Sequence, residues 1–129
     1  VASFAPWMDM DQVQDTGFQD LGLPVEYIVA FIALVILPPI AEELLFRGYL
    51  FGRLREKFGF WMTSIVVSVV FGVVHMQWNV AVDVAVLSLF LCYLRERTGS
   101  IWASVVLHAI KNGVAYFLLF IAPLLGMNI

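Results

Sequence analysis

The chain has 129 residues, 62% of them hydrophobic and only 13% charged, with a mean hydropathy of +0.93. That composition excludes an ordinary soluble domain and points to a membrane protein. The formal net charge of −3 comes without a basic stripe, which excludes a nucleic-acid partner, and the single Cys92 excludes a disulfide framework or a thiolate metal site.

Residues 1–24 carry Asp9, Asp11, Asp15 and Asp20 with no Lys or Arg, and are punctuated by Gly17, Gly22 and Pro24. They read as an acidic extramembrane or interfacial segment. The chain starts at Val1 without an initiator methionine, so upstream helices of a longer protein are expected to be missing. Residues 25–129 read as a membrane domain: an all-α polytopic transmembrane bundle of about four spans.

The first apolar run, Val25 to Ile40, is short against the roughly 20 residues that a span needs. Pro38-Pro39 is expected to break this helix and to start a fresh one, running from Pro39 to about Lys57, that completes the crossing with a kink. Its first turns hold Glu42 and Glu43. Glu43 and Arg47 stand four apart with the acid first, the better orientation for an ion pair on one face. Glu42 is rotated about 100° away by the helical period, so it need not share that partner. Glu43 thus reads as a clamp on Arg47, and Glu42 as the carboxylate left free for chemistry. A buried structural network of all three is the plainer alternative, but ionisable groups at membrane depth are costly and favour a functional reading.

The second span is Phe60 to Met76, with Phe71 and His75 near its end, and Gln77-Trp78-Asn79 forms a short polar connection. The third, Val80 to Leu94, holds Asp83, and Arg95 to Ser100 reads as a second basic loop. The fourth runs from Ile101 to about Leu125 and carries His108, Lys111 and Asn112. Arg53, Arg55 and Lys57 follow the first span, and Arg95 and Arg97 the third. Four spans put both clusters on one side, which the positive-inside rule assigns to the cytoplasm. The expected location is a prokaryotic cytoplasmic membrane.

At 1.5 Å per residue, Glu42 lies roughly 16 Å from Arg53, His108 roughly 16 Å from Arg97, and His75 about 22 Å from Phe60. With ordinary tilt, Glu42, His75, His108 and Asn112 can share one layer near mid-membrane. Singly, each has a bland role: His108 and Asn112 as interhelical glue, His75 as an interfacial histidine. Together they read as hydrolysis. A carboxylate and a neutral imidazole can hold and deprotonate a water, while a second histidine and an asparagine on one helix face can donate to a developing oxyanion. Zinc held by His75, His108 and Glu42 is the alternative cofactor reading, although no His-x-x-x-His helix supplies two ligands together.

Glu42-Glu43-x-x-x-Arg47, Phe71-x-x-x-His75 and His108-x-x-x-Asn112, in that order, resemble the three motifs of the CPBP (Abi-like) intramembrane proteases. That family includes the type II CAAX prenyl endopeptidases and bacterial proteins linked to bacteriocin processing and self-immunity. The resemblance implies a helical membrane bundle that hydrolyses a peptide bond of a membrane-associated, hydrophobic or lipidated peptide. By position, Glu42 matches the water-activating glutamate and His75 its partner. His108 and Asn112 match the oxyanion-stabilising pair, and Glu43 with Arg47 the supporting pair. The family has been called metalloprotease, while its structural picture favours a metal-free, glutamate-activated water, so no cofactor is expected. Two other readings remain: a catalytically silent bundle acting as a partner or immunity protein, and a transporter fragment whose proline-broken helix lines a substrate path.

Overall fold

The computed structural model describes residues 21–128. The acidic segment over residues 1–24 therefore lies almost wholly outside the described residues. Among the described residues every regular element is helical: α1 (Pro24–Arg55), α2 (Phe60–Val74), α3 (Trp78–Thr98) and α4 (Trp102–Ile121), followed by a 3₁₀ turn at Pro123–Leu125. Helices α1, α3 and α4 are long and apolar enough to cross a membrane, and α2 is a shorter apolar helix. This is the all-α bundle of about four spans that the composition calls for.

The polarity of the bundle is reversed relative to a soluble one. Glu43, Arg47, Thr63, Ser64, Ser68, Ser88, Ser104 and His108 are buried, while Trp61, Val69, Phe90, Val106, Ile110 and Leu119 face outward. So continuous an apolar surface has no stable place in water and suits hydrocarbon, where each helix satisfies its own backbone. The chain is an integral membrane protein.

Helix α1 differs from the sequence expectation. Pro24 occupies its first turn, and Glu26 Oε2 accepts from the Gly22 and Leu23 amides at 2.7 and 2.8 Å. The helix then runs through Pro38-Pro39 without ending. A π-turn at Ile32–Ile36 precedes the prolines, with the Leu37 N–H bonded to the Ile32 carbonyl, and a second π-turn spans Leu44–Leu50. Proline's fixed φ is compatible with helix; what it lacks is its own N–H, the donor to the carbonyl one turn back. The widened turn and a side chain from α4 absorb that loss, so the expected break is a local change of register. Helix α3 also extends further than expected. Arg95 to Thr98 forms its last turn, closed by Gly99 in the left-handed region (φ 68°) with its N–H on the Arg95 carbonyl at 3.0 Å.

Helices α2 and α3 approach closely at Gly72. A Cβ built on Gly72 would lie 2.8 Å from the Ala81 carbonyl oxygen and 3.3 Å from the Ala85 Cβ, so only glycine allows this contact. At the opposite end of α3, Arg55 forks onto Glu96 (3.0 and 2.7 Å) and Arg95 Nε donates to the Arg47 carbonyl at 3.1 Å. Both basic clusters therefore sit at one end of the bundle. Counted from that end, the 15 residues of α2 rise only about 22 Å, short of a hydrocarbon core of ~30 Å. The turn after α2, beginning at His75, thus stops within membrane depth.

Candidate active site

Helix α1 delivers the acids. Glu43 is fully buried and pairs with Arg47, NH1 to Oε1 at 3.1 Å, as the four-residue spacing requires. The guanidinium is also held at NH2 and across its face, while its Nε and Glu43 Oε2 are buried without a hydrogen-bond partner. Its NH2 donates to the Ser88 carbonyl at 3.2 Å and to the Ser88 hydroxyl, Ser68 Oγ donates to Ser88 Oγ at 2.9 Å, and the Phe71 ring lies 4.5 Å below the guanidinium carbon. A charge buried in a membrane bundle is tolerable only when paired and hydrogen-bonded in this way.

Helix α4 brings His108 to the same carboxylate. Its Nδ1 lies 2.8 Å from Glu43 Oε1, which already accepts from Arg47. That oxygen is an acceptor, so the imidazole proton sits on Nδ1 and Nε2 turns toward Glu42, whose Oε2 is 3.6 Å away, beyond a direct hydrogen bond. The Glu42 side chain is 32% exposed, but its Oε2 is buried without a protein partner. A line of interactions thus runs from Ser68 through Ser88, Arg47, Glu43 and His108 and ends at an unengaged carboxylate oxygen.

His75, at the end of α2, is tied by Nδ1 to the Phe71 carbonyl at 2.7 Å. A carbonyl can only accept, so this histidine too carries its proton on Nδ1 and keeps an Nε2 lone pair free. The Phe71 ring meets both imidazoles edge-on, 4.8 Å from His75 and 5.9 Å from His108. Phe71 is thereby the common wall of the two histidines and the floor of Arg47. Asn112, one turn beyond His108, does not join them in this arrangement; its amide donates to the Leu34 carbonyl on α1 at 2.9 Å. Lys111 points elsewhere and pairs with Asp83 at 3.5 Å.

Sequence reasoning passed over Ser68 and Ser88, which complete the shell of Arg47. Their signal was small polar residues in otherwise aliphatic spans, a common mark of helix–helix contact. Among the described residues, no group of three or more His, Cys, Asp or Glu side chains is disposed to hold a metal ion.

The site and fold define an integral membrane helix bundle with a buried carboxylate–imidazole–guanidinium centre. The family model described as type II CAAX prenyl endopeptidase Rce1-like matches residues 24–114, and the chain belongs to that family. It is 34% identical over 77 residues to a Bacillus subtilis protein named "Putative membrane peptidase YdiL", covering 60% of this chain and 32% of that one. It is 28% identical over 100 residues to the UPF0177 protein YxdF of Lactococcus lactis, covering 76% of this chain and 54% of that one. The chain thus spans about a third to a half of the length of these relatives. No solved structure matches it.

Proposed function

We propose that this chain carries the catalytic centre of an intramembrane endopeptidase acting on a membrane-associated, hydrophobic or lipidated peptide. The observation that carries the reading is the buried chain from Arg47 through Glu43 and His108 to the unengaged Oε2 of Glu42. Glu42 takes the proton of the attacking water and passes it to the amine nitrogen as the C–N bond breaks, and His75, with Nε2 free, holds that water. As the peptide carbonyl becomes tetrahedral, His108 Nε2 donates to its oxygen. Because Nδ1 already bears a proton for Glu43, that donation uses the imidazolium form. Glu43 and Arg47 keep His108 in this orientation. Asn112 would meet the reacting carbonyl only by releasing Leu34.

The scheme uses no metal, so Glu42 has the one task of base and is not also a ligand. A centre on helices of this apolarity suits a hydrophobic peptide that enters from the bilayer. The basic end faces the cytoplasm. The test is cleavage of a fluorogenic hydrophobic or prenylated peptide by the protein in liposomes, with Glu42→Gln as the control. Activity that Glu42→Gln leaves intact would sink the reading. The second reading, a silent bundle acting as a partner or immunity protein, is favoured by the fact that His108 and Asn112 both bond across α1 and α4. It predicts no turnover by the wild-type chain.

A further inference from the structure

The Leu34 carbonyl has no donor of its own in either helical register. In an α-helix its partner would be the N–H of residue 38, and in a π-turn that of residue 39. Both positions are proline. The π-turn that ends at Ile36 puts this carbonyl where the two registers meet, and the amide that reaches it, at 2.9 Å, is Asn112 Nδ2 from α4. Four residues beyond Pro38 and Pro39 stand Glu42 and Glu43, and one turn before Asn112 stands His108. The same face of α4 therefore holds α1 at two points: His108 on Glu43, and Asn112 on the backbone that the prolines leave open.

We infer that Asn112 is a positioning residue: it replaces the hydrogen bond removed by Pro38-Pro39 and so fixes the register of Glu42 and Glu43 against His108. This rests on the proposed function for its consequence in activity, but not for the clasp itself. Pro38-Pro39 and Asn112 form one device. The prolines keep the helix from satisfying Leu34 internally, and α4 is recruited to do it. A part-buried, unpaired carbonyl inside a membrane bundle is costly, so the clasp holds the helix pair together with a directional contact rather than by shape alone.

A double-mutant cycle on the purified chain tests this. Asn112→Ala in the wild-type background should lower the thermal midpoint and, where cleavage is measured, reduce turnover by about tenfold. Pro38→Ala gives Leu34 an internal N–H, so in that background Asn112→Ala should cost much less in both readouts. Pro39→Ala, which restores the donor of the π register, is the second route should Pro38→Ala disturb folding. Rescue of stability and turnover by either variant supports the positioning role. Equal losses of thermal stability in all backgrounds would overturn the clasp. A stability rescue with turnover equally lost in every background would show that Asn112 also touches the reacting group, which overturns its assignment as positioning alone. If the wild-type chain cleaves no peptide, the proposed function fails, while the thermal cycle still decides the clasp.

Discussion

Glu42 and Glu43 are neighbours in sequence and opposites in environment. Both have an Oε2 without a protein hydrogen bond. Glu43, however, is fully buried, with Oε1 shared by Arg47 at 3.1 Å and His108 at 2.8 Å, whereas Glu42 is about one-third exposed (32%) and its Oε2 stands 3.6 Å from His108. One helical step of rotation separates a carboxylate committed to structure from one available for chemistry.

Substitution should separate the two. Glu42→Gln is expected to lower turnover by about 10²–10⁴, the span of a general base, with little change in the thermal midpoint. Glu43→Gln or Arg47→Ala breaks a buried pair and leaves a charge unmatched, at a cost of about 3–5 kcal/mol. Those variants should lose stability as well as activity, visible as a lower melting temperature in detergent. Equal thermal losses for Glu42→Gln and Glu43→Gln would contradict the division of roles.

Gly72 offers a test of how the site is held. A methyl there would sit 2.8 Å from the Ala81 carbonyl, and backbone cannot move aside as a flexible side chain would. Gly72→Ala should separate α2 from α3 at a cost of about 1–3 kcal/mol. His75 is three residues on, so peptide cleavage should fall further than the stability loss explains. Unchanged activity in folded Gly72→Ala protein would mean that His75 does not depend on this approach.

Orientation can be read by labelling. Arg53 and Arg97 are exposed at the end of the bundle where Arg55 meets Glu96. In a Cys92→Ala background, Arg53→Cys and Arg97→Cys should each react with an impermeant thiol reagent from the cytoplasmic side only. The structure joins these two ends, so labelling from opposite sides would contradict the fold, and labelling of both from the outside would contradict the proposed orientation.

Much of this architecture was legible in the residues because membrane physics constrains them strongly. Apolar run lengths gave the spans, and the four-residue step from Glu43 to Arg47 gave their ion pair. What escaped was local. Pro38-Pro39 reads as a helix break because one-dimensional rules count lost donors, not replacements from another helix. The replacement comes from Asn112, 78 positions after Leu34. Ser68 and Ser88 showed in sequence only as small polar residues in aliphatic spans; that Ser88 bonds Arg47 and Ser68 bonds Ser88, joining three helices, depends on tertiary packing. Likewise, the sequence could place His108 and Asn112 on one face, but not show that His108 turns to Glu43 while Asn112 turns to backbone.

Metal dependence is the prediction that most sharply divides the chemical readings. Zinc in a catalytic site usually takes three protein ligands and a water, with nitrogen ligands at about 2.0–2.1 Å. His75 and His108 each have Nδ1 engaged, on the Phe71 carbonyl at 2.7 Å and on Glu43 at 2.8 Å, so each could offer a metal only Nε2. Drawing both Nε2 atoms and Glu42 onto one ion would also give the glutamate two conflicting tasks, as ligand and as base. In the metal-free scheme Glu42 has only the second. Protein treated with chelator and verified metal-free by elemental analysis should therefore retain its cleavage rate. Loss of cleavage that stoichiometric zinc restores, together with absorption spectroscopy placing the metal on two imidazoles, would reverse the assignment. A partial loss that magnesium or calcium restores equally well would instead point to an effect on the anionic lipid surface, leaving Glu42 as the base.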